Sequence, residues 1–251
     1  MKIIGHRGAS GYAPENTLPS FRQAIRLGVD MVEFDVYTLK TGEVVVFHDD
    51  KVNRTTNGKG KIESKTFDEV RALDAGNGEK IPLLTEVLDT INKQVPINIE
   101  LKGANTARPV AEIIQRYIAK KKWSKELFFV SSFDHNELRL FSTLLPTVQT
   151  GAIFSYLPRR FWSKLQNSGI FSANINSRVV TKRMVKAAHA RGLKVFVYTV
   201  NTERQARRMA RLNVDGIFSD YPDRVSLLNG DAKTPQLLTL PLTKKPFAQA
   251  N

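Results

Sequence analysis

Short apolar runs alternate with amphipathic segments along most of the chain. The strand-like runs cover residues 2–5, 31–36, 43–47, 97–101, 127–130, 149–154, 171–175, 194–199 and 216–218. The segments with helical spacing begin after Thr17 and continue at 66–73, 83–91, 110–118, 136–144, 161–165, 182–190 and 203–212. Strands that alternate with helices in this way predict a parallel sheet with helical crossovers.

Nine strand candidates are one more than a TIM (β/α)8 barrel contains. The surplus run is 43–47, because the turn before it is too short for a parallel crossover. If that turn centres on Thr41 and Gly42, Asp35 lies opposite His48 across the hairpin. We therefore predict an α/β fold, a TIM barrel with an extra hairpin strand. An open doubly wound sheet is the alternative, although no glycine-rich phosphate loop marks its switch point.

The chain divides into three parts by composition. Its 251 residues suit one large domain, and the alternating elements place the barrel at residues 1–228. Within it, residues 51–80 are polar and rich in glycine, which indicates a small inserted subdomain. Residues 229–251 are rich in proline, threonine and lysine, and we expect them to form a C-terminal tail.

The positive charge is concentrated in one stretch of the sequence. The chain has 38 basic and 24 acidic residues, a net charge of +14. Residues 155–211 hold thirteen of the basic residues and a single acidic residue, Glu203, so this stretch carries +12. The excess of basic residues in this stretch is explained if they lie on the solvated outer surface of the predicted helices. Attraction to anionic lipid or to nucleic acid is the alternative.

The residue types that are missing narrow the chemistry and the location. There is no cysteine, which excludes a disulfide framework, a thiolate zinc site and a cysteine nucleophile. No apolar run approaches 20 residues, the length that spans a membrane. The sequence enters strand-like residues directly at Lys2 and shows no signal-peptide pattern, so we expect a cytoplasmic protein.

Carboxylates stand at the carboxyl ends of two predicted strands. Glu33 and Asp35 point to the same side of one strand, because side chains alternate with period two. Two like charges this close are costly unless a cation neutralises them. Glu100, on a neighbouring strand, is the natural third ligand, and an all-oxygen set favours Mg²⁺ or Ca²⁺ over zinc. Salt bridges at the rim of the barrel are the alternative explanation.

Two of the four histidines stand at strand ends in polar surroundings. His6 follows the first strand and His48 follows the hairpin. Neutral imidazole is suited to general acid and general base roles near pH 7. We interpret the other two, His135 and His189, as structural.

Two cations accompany the carboxylates and histidines. Arg7 follows His6 directly, and Lys102 ends the strand that carries Glu100. Such groups stabilise anions, and guanidinium forms bidentate pairs with phosphate. Arg7 could instead be a salt-bridge partner of Glu15 or Glu33. Imidazoles, an acidic metal site and cationic anion ligands together suggest phosphoryl transfer by positioning and charge stabilisation.

At these residues the sequence resembles the glycerophosphodiester phosphodiesterase family. The matching motifs occur in family order at residues 6–17, 33–36, 46–49, 99–102, 131–133 and 215–220. The first of them, HRGASGYAPENT, is long and specific, and the resemblance covers nearly all of residues 2–228.

The resemblance implies a TIM barrel with an inserted subdomain and gives roles to particular residues. It implies a divalent metal held by Glu33, Asp35 and Glu100. It implies that the acid and base are His6 and His48, and that the phosphate lies near Arg7 and Lys102. The sequence departs from the family pattern at Tyr198, where many members carry tryptophan, and this residue bears on the shape of the alcohol pocket.

Our leading hypothesis is metal-dependent hydrolysis of a glycerophosphodiester to glycerol 3-phosphate and an alcohol. One histidine would take a proton from the nucleophile, which is either water or the substrate's own glycerol hydroxyl. The other would protonate the departing alkoxide, and of the two orders we favour His48 as acid and His6 as base.

Two other functions are the alternatives. The first is phospholipase D-like hydrolysis of lysophospholipids, with the basic stretch in peripheral contact with anionic membrane. The second is a nucleic-acid-binding protein, which the net charge suggests. It leaves the carboxylates unexplained, because they repel phosphate unless a metal is bound. We therefore expect a small-molecule substrate and no nucleic-acid partner.

Overall fold

A closed ring of eight parallel strands forms the centre of the protein. The computed structural model describes residues 1–156 and 169–226. The strands in these residues are β1 (Lys2–Gly5), β2 (Met31–Thr38), β3 (Val44–Val46), β4 (Ile97–Leu101), β5 (Phe128–Ser132), β6 (Gln149–Phe154), β7 (Ser172–Asn176), β8 (Lys194–Tyr198) and β9 (Gly216–Ser219). The order around the ring is β1-β2-β4-β5-β6-β7-β8-β9, and β1 closes it by pairing with both β2 and β9. The predicted TIM barrel is confirmed, with β3 as its extra antiparallel strand.

Helices follow most of the strands and cover the outside of the ring. Those in the described residues are α1 (Leu18–Arg26), α2 (Phe67–Ala72), α3 (Leu84–Ile91), α4 (Ala107–Lys121), α5 (His135–Leu144), α6 (Lys182–His189), α7 (Glu203–Leu212) and α8 (Pro222–Ser226). None of them is long and apolar enough to cross a bilayer. The helix predicted at 161–165 and the tail predicted at 229–251 fall outside the described residues.

Side chains at the ends of the rim loops fix where several helices begin. Asp134 caps α5 by accepting hydrogen bonds from the backbone N–H groups of Asn136 and Glu137. Thr202 and Gln205 form a capping box at the start of α7. Such side chains satisfy donors that the first helical turn leaves free. They therefore define the ends of two loops at the carboxyl rim of the barrel.

The hairpin strand pairs in a register one residue away from the prediction. The carbonyl of Asp35 accepts a hydrogen bond from the N–H of Phe47 at 2.9 Å, so Phe47 lies opposite Asp35, where His48 was predicted. The loop after Leu39 has three residues and ends at Gly42, whose φ of +99° is left-handed. Glycine adopts this conformation at little cost, and a three-residue hairpin loop requires it there.

Apolar side chains pack in three clusters. The largest lies between the ring of strands and the helices outside it. A second joins β3 to the segment after it, with Val52, Ile62 and Val70 fully buried. The third lies inside the ring and includes Phe129, Phe196 and Phe218. It fills the barrel interior below the carboxyl ends of the strands, which leaves the carboxyl rim as the open end of the interior.

Candidate active site

A cavity of about 500 Å³ opens at the carboxyl ends of the barrel strands. All eight residues singled out from the sequence line it, namely His6, Arg7, Glu33, Asp35, His48, Glu100, Lys102 and Tyr198. Apart from Phe133, Ile153, Tyr198 and Phe218, the described residues that line it are polar or charged. A cavity with converging ionisable groups at this rim is the usual active-site arrangement of the fold.

Three carboxylates meet on the β2 and β4 side of the cavity. Glu33 and Asp35 are only 2% and 1% exposed, and Asp35 lies in register with Glu100 on the adjacent strand. One oxygen from each of the three lies within 4.8 Å of the others. Glu33 Oε1 is buried and has no hydrogen-bond partner among the described residues. Side-chain alternation along β2 and the parallel register with β4 thus bring the predicted set together.

Burial raises the pKa of two of these carboxyl groups. The pKa of Glu33 is raised well above its ordinary value by burial and by the charges of Asp35 and Glu100. Burial and Asp35 also raise the pKa of Glu100 to about 7, against the opposing effect of Lys102. Carboxylates crowded in this way are stabilised by a cation, and oxygen ligands suit a hard divalent ion. The cluster could therefore hold a divalent metal.

Arg7 contacts three carboxylates at the start of the loop after β1. Its backbone N–H donates to Glu33 Oε2 at 2.8 Å, and the Nη1 of its guanidinium donates to Glu15 Oε1 at 2.8 Å. Its Nε lies 3.4 Å from Asp35 Oδ2. The next residue, Gly8, has a φ of +85° and packs so closely on α1 that a Cβ atom would overlap the helix. The ion pair between Arg7 and Glu15, which the sequence offered as an alternative role for Arg7, is thus present. It holds Arg7 at the edge of the cavity.

Lys102 connects the carboxylates to His48. Its Nζ donates to Glu100 Oε1 at 2.9 Å and lies 3.8 Å from Asp35 Oδ1. Burial alone would lower the pKa of Lys102, but Glu100 and Asp35 raise it above the ordinary value, so the side chain is an ammonium. Its Nζ is 3.3 Å from His48 Nε2. Because an ammonium only donates, Nε2 accepts this hydrogen bond.

His48 is anchored through its other ring nitrogen. Its Nδ1 lies 2.5 Å from Asp49 Oδ1, and Asp49 accepts from Arg54 Nε and Nη2 at 2.7 and 2.9 Å. Arg54 also donates to Glu15 at 2.7 and 2.8 Å. The Arg54 hydrogen bonds hold the pKa of Asp49 below its usual range, so Asp49 accepts and Nδ1 carries the proton. Burial, outweighing the nearby charge of Asp35, lowers the pKa of His48.

His6 is anchored in the same manner by the last strand of the ring. Its Nδ1 lies 2.6 Å from Oδ1 of Asp220, which follows β9. Asp220 also accepts from Ser10 Oγ at 2.9 Å and from Asn201 Nδ2 at 2.6 Å. Burial alone would raise the pKa of Asp220, but the hydrogen bond and charge of His6, together with the other two donors, lower it to about 2. Nδ1 of His6 therefore carries the proton, and Nε2 is the ring nitrogen left for a substrate.

The residues that position the predicted groups were not singled out in the sequence. Asp220 lies within a family motif at the end of the last strand, and Asp49 follows His48 directly. Their position near a strand end was the feature of the sequence that could have marked them as functional. Asn16 donates to Asp35 Oδ2 at 3.0 Å and holds that carboxylate in place. Arg54 comes from the polar segment 51–80, and nothing in its local sequence marks it.

The opposite side of the cavity is formed by β7, β8 and the loops after them. Asn174, Asn176 and Arg178 line it, together with Tyr198. Burial raises the pKa of Tyr198 to about 12, so its hydroxyl stays protonated. The ring of Tyr198 packs edge-on against Phe133, with centroids 6.0 Å apart. This side has hydrogen-bonding groups and aromatic surface, and none of the described residues that line it is a carboxylate.

The basic stretch has structural partners at several positions. Arg207 pairs with Glu203 on α7. Arg208 donates to the backbone carbonyls of Ser177 and Val180 at 2.7 and 3.0 Å. Of the thirteen basic residues in this stretch, Arg178 is the one among those described that lines the cavity.

The remaining two histidines also have structural partners. His189 Nε2 lies 2.8 Å from Asp215 Oδ2. His135 packs edge-on against Phe154, and its Nε2 lies 3.3 Å from the carbonyl oxygen of Ile153. Neither histidine lines the cavity.

The fold and the groups at its carboxyl rim define a TIM-barrel hydrolase of phosphoric diesters. Comparison with known proteins narrows this class. The chain belongs to the glycerophosphoryl diester phosphodiesterase family, whose sequence profile matches residues 6–224. The family resemblance and the enzyme class that the motifs indicated are therefore confirmed.

Individual relatives agree with this assignment. A glycerophosphodiester phosphodiesterase of Bacillus altitudinis is 36% identical, and the match covers 92% of this chain and 99% of the relative. A human lysophospholipase D is 27% identical, with 88% and 84% covered. The solved structure of an Oleispira antarctica phosphodiesterase with its product sn-glycerol-3-phosphate has a TM-score of 0.82 and 32% identity, covering 90% of this chain and 95% of that one.

Proposed function

We propose that the protein hydrolyses glycerophosphodiesters to glycerol 3-phosphate and an alcohol, using a divalent metal and the pair His6 and His48. The observation that carries this proposal is the arrangement of the two imidazoles. Each has its Nδ1 tied to a carboxylate, and both line the cavity that contains the three clustered carboxylates. Relatives that carry the name of this activity, and the solved phosphodiesterase with its glycerol 3-phosphate product, support the choice of substrate.

The proposed metal ligands are Glu33, Asp35 and Glu100. The unpartnered, buried Oε1 of Glu33 and the raised pKa values of Glu33 and Glu100 both fit a site that a cation completes. We propose Mg²⁺ or Ca²⁺, because every ligand is a carboxylate oxygen. When bound, such an ion neutralises the carboxylates and polarises the phosphoryl oxygens of the substrate.

Arg7 and Lys102 are the proposed phosphate ligands on the same side of the cavity. Both are cationic, and both lie beside the carboxylate cluster. Their hydrogen bonds to Glu15 and Glu100 fix the two side chains before a substrate arrives. Fixed cations that face the developing negative charge stabilise the transition state without reorganisation.

The two imidazoles divide the proton transfers between them. The lowered pKa of His48 keeps its imidazole neutral at pH 7. Once Lys102 Nζ turns from His48 Nε2 to the phosphate of the substrate, Nε2 can accept the proton of the nucleophile. The nucleophile is water, which gives glycerol 3-phosphate directly, or the neighbouring glycerol hydroxyl, which first gives a cyclic phosphate that water then opens to glycerol 3-phosphate. Asp220 holds Nδ1 of His6 and leaves its Nε2 for the substrate, so His6 makes the other proton transfer, to the departing alcohol oxygen. We therefore assign His48 as base and His6 as acid, the reverse of the order that the sequence favoured.

A change of leaving group tests this assignment. 4-Nitrophenolate departs without protonation, so an enzyme that lacks its general acid retains most of its rate on glycerophospho-4-nitrophenol. We expect His6→Ala to lose about 100-fold or more on glycerophosphoethanolamine and much less on the nitrophenyl ester. His48→Ala should lose a similar factor on both. The opposite pattern would reverse the assignment, and unchanged rates in either variant would remove that histidine from the mechanism.

A second candidate function is hydrolysis of lysophospholipids. A human relative is named lysophospholipase D, and Phe133 and Tyr156 expose 43% and 74% of their surface after β5 and β6. The mostly polar cavity favours a deacylated diester instead. Rates on glycerophosphocholine and lysophosphatidylcholine, which differ only in the acyl chain, separate the two. Cytoplasmic location and peripheral contact with anionic lipid stay predictions.

A further inference from the structure

Strand β7 lies across the cavity from the carboxylates. The order of the closed ring places four steps between β2 and β7 in either direction, so the two strands are diametrically opposed. Glu33 and Asp35 on β2 therefore face the residues that β7 presents at the rim. A substituent that crosses the cavity from a phosphate beside β2 and β4 therefore meets β7.

Along β7 and its loop the cavity is lined by hydrogen-bond donors. Asn174 is fully buried; its Oδ1 accepts from Ser172 Oγ at 2.7 Å, and its Nδ2 has no partner among the described residues. A buried donor without an acceptor is costly, so this amide points to an oxygen atom supplied by the ligand. Arg178 lines the outer part of the same side and makes no ion pair with a described carboxylate.

The loop that carries Arg178 is held in place on both sides. The Ser177 N–H donates to the carbonyl of Tyr198 at 2.7 Å. Arg208 donates to the carbonyls of Ser177 and Val180 at 2.7 and 3.0 Å. The N–H of Arg178 itself donates to Asn176 Oδ1 at 2.9 Å. The guanidinium thus extends from a fixed backbone, which lowers the entropic cost of binding an anion.

The same side is poorly suited to a cationic head group. Recognition of a quaternary ammonium requires an open aromatic face or a carboxylate. The aromatic residues that line this side in the described part of the chain are Phe133 and Tyr198, and Lys102 Nζ already lies 5.4 Å from the centre of the Phe133 ring. A cationic head group at this edge would meet the like charge of Arg178, whereas an anionic group would be attracted to it.

We propose, building on the proposed function, that the β7 side is the subsite of the departing alcohol and that Arg178 selects alcohols carrying a second phosphate. The glycerophosphoryl part is common to all substrates and occupies the metal side. The alcohol varies and extends toward the open rim. In the buried part of this side Asn174 donates to an oxygen of the alcohol, and at its outer part Arg178 pairs with the phosphate of the alcohol.

A matched pair of substrates tests the proposal. Glycerophosphoinositol 4-phosphate and glycerophosphoinositol differ only in the second phosphate, and glycerophosphocholine supplies the cationic comparison. We expect the wild-type protein to show the highest kcat/KM on the phosphorylated diester. In Arg178→Ala the ratio of kcat/KM between the matched substrates should fall about tenfold, the effect of one charge-assisted hydrogen bond. Arg178→Lys should retain part of the preference.

Arg204→Ala is the charge-matched control, because Arg204 lies on α7 and does not line the cavity. It should leave the ratio unchanged, which shows that the effect is local and does not arise from net charge. Equal losses on all three substrates in Arg178→Ala would make Arg178 a ligand of the scissile phosphate and overturn the proposal. A wild-type preference for glycerophosphocholine would also overturn it. If no substrate is hydrolysed, the proposed function itself fails.

Discussion

Nδ1 of His6 lies 2.6 Å from Oδ1 of Asp220, although 214 positions separate the two residues in the sequence. The contact exists because β1 and β9 are neighbours where the barrel closes. His48 has an equivalent carboxylate in Asp49, its next neighbour in the chain. Both imidazoles thus have a fixed tautomer with Nε2 free of carboxylate, which is the arrangement an acid and base pair requires.

Asp220→Asn should therefore reduce kcat while leaving the fold intact. An amide can donate to Nδ1 and so favour the wrong tautomer, and it removes the carboxylate that accepts from Nδ1 of His6. We expect kcat for glycerophosphoethanolamine to fall on the order of 100-fold with little change in KM. The loss should be much smaller on glycerophospho-4-nitrophenol, a difference that a purely structural role would not produce. A normal kcat in this variant would show that Asp220 does not act through His6.

Metal binding should stabilise the protein more at pH 8 than at pH 5. The folded-state pKa values of Glu33 and Glu100 are raised, and that of Glu100 is about 7. The folded state thus holds protons that the unfolded state releases near pH 4.5, and metal-free stability falls as pH rises through 7. At pH 5 a metal must displace these protons, whereas at pH 8 it meets free carboxylates.

Thermal unfolding with and without Mg²⁺ or Ca²⁺ at the two pH values measures this effect. At a metal concentration 100 times Kd the expected stabilisation is about 2.7 kcal/mol. Glu100→Gln is the control, since it keeps the side chain but loses the charge, and its metal-induced shift in Tm should be much smaller. The same shift at both pH values, or a full shift in Glu100→Gln, would contradict a metal site at these carboxylates.

Arg54→Ala should lower activity even though Arg54 does not line the cavity. Arg54 holds Asp49, and Asp49 holds Nδ1 of His48. Without Arg54 the pKa of Asp49 should rise toward its ordinary value, and the orientation of His48 should loosen. We expect kcat to fall about tenfold, the scale of one or two charge-assisted hydrogen bonds.

Arg71→Ala is the matched control for that variant. Arg71 belongs to the same segment and pairs with Glu86, which does not line the cavity. Its removal should affect Tm more than kcat. Equal kcat values for the two variants, with folded protein in both cases, would show that the Arg54 contacts serve stability only.

The barrel could be predicted from the sequence because each strand and each helix has its own local apolar period. The hairpin register was wrong by one residue because it depends on the loop conformation at Gly42, which hydrophobic pattern does not reveal. A shift of one residue changes the partner of every side chain across the hairpin. The conformation of the turn must therefore be known before the register of the two strands can be predicted.

The candidate site could be predicted as a set of residues but not as a network. His6, Glu33 and Glu100 interrupt or follow strands where aliphatic residues are expected, so they stood out. Asp220 and Arg54 did not, because their roles arise from barrel closure and from the path of the segment 51–80. Such long-range contacts leave no periodic signal in the sequence.

The most direct test of the account is the rate of glycerol 3-phosphate release from a glycerophosphodiester. Metal-depleted wild-type protein would be assayed on glycerophosphoinositol before and after addition of Mg²⁺ or Ca²⁺, beside Asp35→Asn. We predict negligible release without metal, recovery when the ion is added, and no recovery in Asp35→Asn. Full release in excess chelator, or an unchanged rate in Asp35→Asn, would contradict a metal-dependent reaction at this site.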